Sequence, residues 1–250
     1  MSRLVMLLLV VVGTETAAFA QQTRPQFDRP KVSIEIDGAY RATSVSFDDD
    51  ATRTINVEPS RIATTYAVPA GVAFGGSGGL RLWKQLGVGV SVNRYAAVVD
   101  GNVSASIPHP FVFNQARQIA GIANGLRREE LAITLQVRGL VPVSNRLSLA
   151  VFAGPAWISA SQTMVTNIDY AETYPYDSAT FRSALTASSK KTKVGVGLGA
   201  DLAYFFSKQV GIGLGAKFVG GNVELPGIGG ATVKSKTGGV DIGGGLRLRF

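Results

Sequence analysis

Apolar and polar residues alternate one for one along most of this chain. The last stretch shows it best: Val240, Ile242, Gly244, Leu246, Leu248 and Phe250 fall on one parity, and Asp241, Gly243, Gly245, Arg247 and Arg249 on the other. Successive side chains of a strand point to opposite faces, so one face is oily and aromatic and the other charged or bare. The chain has few helical segments that could cover so much oily surface. A closed barrel in lipid satisfies the pattern, with apolar side chains outward and polar ones inward.

Taken in order, the alternation predicts a strand over 32–47, then Asp48-Asp49-Asp50 opening a long loop. A second strand ends at Trp83, its start blurred by Pro59 and Pro69; the bare run Gly75 to Gly79 leaves room for large side chains across a narrow lumen. A tight turn leads to a third strand carrying Leu86, Val88, Val90 and Val92 outward. The connection over about 100–127 contains Ile107-Pro108-His109-Pro110, which breaks regular strand. It also contains Asn114 to Asn124, where Ile119, Ala120, Ile122 and Ala123 are spaced as on a short amphipathic helix. Further strands follow over 128–143, from 147 to about 170, over 194–206, from 210, and up to Phe250. Long loops are expected near 48–65, 100–127, 171–190 and 222–236, alternating with tight turns at 83–86, 143–146 and 207–209. The fold class is therefore all-β, a membrane-spanning antiparallel up-and-down barrel of eight strands, or ten if 52–83 holds another hairpin.

Composition adds the compartment. Arg3, the apolar run Leu4 to Val12 and the small-x-small site Ala18-Phe19-Ala20 predict a signal peptide over 1–20, and 21–31 reads as a periplasmic lead-in to a barrel domain at 32–250. The apolar run is too short to span a bilayer as a helix. With no Cys among 250 residues there is no disulfide framework and no lipid-anchored cysteine. The net charge is +8, but the basic residues are scattered over strand ends and the polar strand face, which argues against nucleic acid and for lipid phosphates.

Candidate chemistry is sparse. Gly195 to Ala200 and Gly211 to Ala216 match the Gly-x-Gly-x-x-Gly/Ala nucleotide fingerprint, yet period-two alternation runs straight through both where the fingerprint needs a turn and a helix. His109, the only histidine, has Ser104 and Ser106 nearby in sequence but no defensible catalytic pattern. Asp48-Asp49-Asp50 offers a weak hard-cation site or a solvated loop tip. No catalytic residue, cofactor or metal is assigned. The polar parity collects Glu35, Asp37, Arg41, Arg81, Arg138, Asp201, Lys217, Asp241, Arg247 and Arg249, which would meet inside a small barrel as a salt-bridged plug or as a narrow polar path. Arg127, Arg128, Lys190, Lys191, Lys193, Lys234 and Lys236 are expected as a basic rim, either merely solvated or facing lipopolysaccharide phosphates. Tyr204, Phe206 and Phe250 suit an inner aromatic girdle, and Trp157 an outer one.

Strand number, loop alternation and the terminal Leu246, Leu248 and Phe250 resemble the small outer-membrane β-barrel family, OmpA-transmembrane-domain-like and OmpW-like, over about residues 32–250. The resemblance implies a bacterial outer-membrane location and recognition of the C-terminal residues by the outer-membrane assembly machinery. A monomer without enzymatic activity is expected. Its function would be structural or surface-interacting, or else that of a narrow pore or carrier for small polar or hydrophobic solutes.

Overall fold

The computed structural model describes residues 30–227 and 232–250. The expected signal peptide and most of the lead-in lie outside the described residues. Ten antiparallel strands follow one another: β1 (Val32–Arg41), β2 (Val45–Ile55), β3 (Glu58–Val68), β4 (Gly71–Arg81), β5 (Leu86–Pro108), β6 (Ala116–Pro142), β7 (Leu147–Glu172), β8 (Ala179–Phe205), β9 (Val210–Pro226) and β10 (Thr232–Arg249). Eight of them form a closed ring, β1-β4-β5-β6-β7-β8-β9-β10. The seam is β1 on β10, from Ser33↔Arg249 to Arg41↔Asp241, and the Val32 and Phe250 amides each donate to the other's carbonyl at 2.9 Å.

The extra hairpin exists but does not widen the ring. β2 prolongs β1 beyond a break at 42–44, and β3 runs into β4 across Pro69-Ala70, where proline cannot donate to a ladder. The β2–β3 pair is a second storey on two of the eight strand lines, with β3 hydrogen-bonded to the far half of β5 over Arg61↔Ser106 to Ala67↔Asp100.

The near-side turns are short for a local reason. In Val143-Ser144-Asn145-Arg146 the Ser144 hydroxyl accepts from the amides of Arg146 and Leu147, and Ser207 accepts in the same way from Gln209 and Val210.

The expected long loops are largely strand. β5 runs through Ile107 to Pro108, proline being tolerated at a strand end, and its connection to β6 shrinks to 109–115. β7 and β8 leave only 173–178 between them, and Asp48 to Asp50 lie within β2. The expected helix at 114–124 is β6. A register shift opposite Val99 and Gly101, with Gly125 at φ +74°, switches the inward parity from Ile119 and Ala123 to Leu126, Arg128 and Glu130. The four residues spaced as on a helix instead divide between the two faces of the strand, Ile119 and Ala123 buried inside and Ala120 and Ile122 exposed outside.

The strands are tall. β6 has 27 residues, against about 9–11 needed to cross a bilayer. Along β5 the two faces exchange chemistry with height. Leu86, Val88, Val90 and Val92 point outward in the lower storey above inward glycines, Ser91 and Asn93. Higher up, exposed Arg94, Asp100, Asn102 and Ser104 point outward while Val99, Val103, Ala105 and Ile107 are buried inside. The lower storey is a lipid-facing barrel. The upper storey has an apolar core built from Ile62, Tyr66, Ile107, Ile119, Met164 and Leu225 among others, and its polar side faces water. This storey is not fully closed: the β8–β9 ladder stops at Val196↔Gly220, while β8 continues with β7 and β9 with β10.

Candidate functional site

Two layers of charge cross the lower and middle lumen. In the lower one, Arg138 pairs with Glu35, Lys217 with Asp37, and Arg247 with both Asp37 and Asp201. All six side chains are buried. Glycines make space for the guanidiniums: a Cβ on Gly79 would stand 2.6 Å from Arg138 Nη1, and one on Gly213 2.6 Å from Arg247 Nε. In the upper layer Arg41 Nε donates to Asp241 at 2.8 Å and its Nη1 to Glu130 at 2.5 Å; Arg128 Nε and Nη2 hold the other Glu130 oxygen at 2.8 and 2.6 Å. Arg128 also donates to Ser235 and to the Lys236 carbonyl, and Arg41 stacks 4.2 Å from the Tyr95 ring centroid. Between the layers, Asp37, Asn93, Lys217 and Asp241 line a void of about 10 Å³, room for one water.

Three sequence expectations change here. Arg128, expected on the basic rim, is 1% exposed and belongs to the upper lumen layer. It sits two residues from Glu130 on the inward parity, while Arg127 points outward to Glu129. Arg249, expected in the lumen, lies at the near-side mouth: its Nε donates to the Lys208 carbonyl and its guanidinium stacks on Phe205. Arg81 is half-buried at the near-side end of β4. Glu130 is a lumen residue absent from the expected charge network; the parity of Ala132, Thr134, Gln136 and Arg138, stepped back by twos, reaches both Glu130 and Arg128.

The rest of the basic rim is exposed: Arg127, Lys190, Lys191, Lys193, Lys234 and Lys236. Lys191 and Lys193 pair with buried Ala160 and Ile158, so they share the inward face, yet they meet solvent because β9 no longer flanks β8 at that height. Tyr204, Phe206, Phe250 and Trp157 all point outward.

The far tip is a third constellation. Here Arg117, buried, ties two segments: it donates to the carbonyls of Pro108 and Tyr176 and pairs with Glu172 at 2.6 Å. His109 is buried beside it. Its Nδ1 accepts from the amides of Phe111 and Val112 at 3.1 and 3.0 Å, which leaves Nε2 to donate to the Pro175 carbonyl at 3.3 Å; Asp177 stands 3.9 Å away. Ser106 Oγ is engaged by Gln118 instead. The third segment is the β2–β3 turn, where Asn56 donates to the Pro108 carbonyl and Glu58 accepts from the Asn114 amide. This frame turns Val57, Phe111, Phe113 and Tyr174 outward, at 72–87% exposure.

The triple Asp48-Asp49-Asp50 lies in β2 and does not converge on one point. Asp48 accepts from Thr65, Asp50 is held by Arg61, which keeps its carboxyl below the usual carboxylate range, and Asp49 is buried on the opposite face. Among the described residues no cluster of three or more metal-ligating side chains occurs. The nucleotide-fingerprint glycines lie in uninterrupted β8 and β9.

An eight-line ring with an apolar outer face and a charged interior defines a membrane-spanning β-barrel of the outer-membrane class. The sequence matches the outer membrane protein beta-barrel domain over residues 5–222, and the chain belongs to that family. No curated protein matches it. Among solved structures it is similar to neisserial surface protein A (12% identity, 88% of this chain and 97% of that one, TM-score 0.38). It is also similar to Ail, the attachment invasion locus protein of Yersinia pestis (10%, 87% and 99%, TM-score 0.32), and to the outer membrane protease OmpT of Escherichia coli (10%, 87% and 97%, TM-score 0.45).

Proposed function

We propose that this protein is a closed, non-enzymatic, monomeric outer-membrane barrel with a structural or surface-interaction role, its lumen plugged by salt bridges. The observation that carries this is the pair of charge layers with a void of only about 10 Å³ between them. Every buried carboxylate in them faces a cation, which offsets part of the desolvation penalty. The upper storey then serves as a rigid pedestal for the far tip. His109 supports that role, since its ring binds backbone groups of two tip loops rather than a nucleophile. The chain is exported by cleavage after Ala20, inserted through recognition of Leu246, Leu248 and Phe250, and surrounded by lipid and lipopolysaccharide, with the exposed lysines meeting phosphates. The test is single-channel conductance of the refolded protein in a planar bilayer, with a heat-modifiable gel shift to show folding. A folded, silent barrel is expected; steady conductance steps would overturn the plug.

The alternative is a carrier for small solutes. One observation favours it: β8 and β9 part above Val196↔Gly220, beside the apolar upper core. Uptake of a labelled apolar solute into liposomes, abolished by a disulfide engineered across that parting, would put the carrier ahead.

A further inference from the structure

Apolar side chains standing almost free in water need a reason, and those at the tip are held there by backbone that resists relaxation. Val57 has φ 70° and Tyr176 φ 73°, a region bulky and β-branched residues rarely enter; Asn56 and Asn114 adopt it too. Such outliers persist only where the surroundings over-determine them, and they point toward function. For Tyr176 the surroundings are the Arg117 and His109 ties; Val57 sits with Asn56 in the two-residue β2–β3 turn, held to the tip by Asn56 on the Pro108 carbonyl and Glu58 on the Asn114 amide. Phe111 packs edge-on to Tyr176 at 5.5 Å between centroids, and Tyr174 edge-on to Tyr176 at 6.1 Å, so Tyr176 braces two outward rings. Residues 110–114, 173–176 and Val57 carry no charge; Glu58 and Asp177 lie at their edge.

We infer that this tip is a membrane-contact site, whose Phe111, Phe113, Val57 and Tyr174 side chains enter the surface of a second, apposed lipid bilayer. The inference rests on the surface-interaction role proposed above. Three observations choose a bilayer over a protein. The charge-free surface comprises ten residues, whereas a stable protein interface takes about 20–30 a side. The rings protrude at 72–85% exposure instead of lining a cleft, and insertion into a bilayer needs no complementary shape. Phenylalanines with a neighbouring exposed tyrosine suit the boundary between acyl chains and headgroups, where an aromatic ring with a hydroxyl settles. Height suits it as well: from Glu130 to Ala116, at about 3.4 Å per residue and a tilt of roughly 40°, β6 lifts the tip roughly 35 Å beyond the upper charge layer. Because the flanking charges are acidic, a zwitterionic surface is the expected target.

The test uses the full barrel in nanodiscs mixed with phosphatidylcholine vesicles, with co-flotation as the readout. Wild type is expected to float with the vesicles, and the Phe111→Ser/Phe113→Ser double variant to lose at least about tenfold in partitioning. Both side chains are exposed, and a heat-modifiable gel shift checks that the variant is folded. A second measurement exploits the absence of cysteine: Phe113→Cys carrying an environment-sensitive fluorophore should shift to the blue with vesicles and be quenched by lipid-borne quenchers. Wild type that fails to float, equal flotation of the folded double variant, or a fluorophore quenched only from water would each overturn the inference. So would capture of a protein that depends on both phenylalanines without vesicle binding. Conductance of the same preparation is read separately, so an open lumen removes the plug and leaves the vesicle result standing.

Discussion

Glu130 is the point at which the upper charge layer is most vulnerable. It is 4% exposed and its carboxylate is shared by two buried guanidiniums, Arg41 and Arg128, while also accepting from the Gly238 amide at 3.0 Å. Changing it to Gln keeps the shape and removes the charge. Arg41 still has Asp241, but Arg128 is left with neutral partners only, Gln162, Ser235 and the Lys236 carbonyl. An uncompensated buried charge of this kind costs about 3–5 kcal/mol. The Arg128→Met/Glu130→Gln double variant restores neutrality, because the Arg41–Asp241 pair remains. It should recover most of that loss, giving a coupling energy of about 1.5–3 kcal/mol. Urea unfolding in phospholipid vesicles, followed by the fluorescence of Trp83 and Trp157, measures both variants against wild type. A single variant destabilised by less than about 1 kcal/mol, or two changes that simply add, would refute the claim that Arg128 depends on Glu130 for compensation.

Tyr66 lies inside the upper storey, where burial first and the nearby Asp49 second push its hydroxyl up to about 12 from the ordinary 10.0. The folded state therefore holds the proton longer than the unfolded chain, so this contribution is intact below pH 10 and is lost as pH rises to about 12, at about 1.4 kcal/mol per unit of difference. Urea midpoints above pH 10 should fall more steeply for wild type than for Tyr66→Phe; parallel curves would contradict it. Glycines separate by face: a Cβ on Gly245 would press on the Ile36 carbonyl at the β1–β10 seam, so Gly245→Val should block the heat-modifiable folded form, whereas one on Gly78 meets nothing and Gly78→Leu should fold normally. Replacing Lys190, Lys191 and Lys193 with Gln should reduce lipopolysaccharide co-purification severalfold, and unchanged binding would remove the phosphate-facing role. His109→Ala should leave the barrel folded yet make loops 109–115 and 173–178 readily cut by protease, since the ring supplies three of their hydrogen bonds.

Alternation by twos along the chain determined much of this protein by itself. It fixed which residues of β10 face lipid and which face the lumen, placed Glu35, Asp37, Arg138, Asp201, Lys217 and Arg247 together inside, and marked the serine turns, because side-chain parity and turn chemistry are local. Which solvent each face meets is not local. Asp100 and Asn102 fall in the expected 100–127 connection, yet with Arg94 they are the outer face of a strand, β5, that has left the bilayer and turned its apolar residues inward. The extra residue at Gly125 shifted β6 by one position, so the inward parity of Ile119 and Ala123 does not continue into Leu126, Arg128 and Glu130. Parity stepped back along β6 carries Arg128 and Glu130 inward, but only closure of the ring brought Arg41 from β1 onto Glu130 as its second cation, and only the converging tip loops gave His109 and Arg117 their partners. Parity follows from the geometry of a single strand, whereas height above the membrane and contacts across the lumen depend on how all eight strand lines stand together.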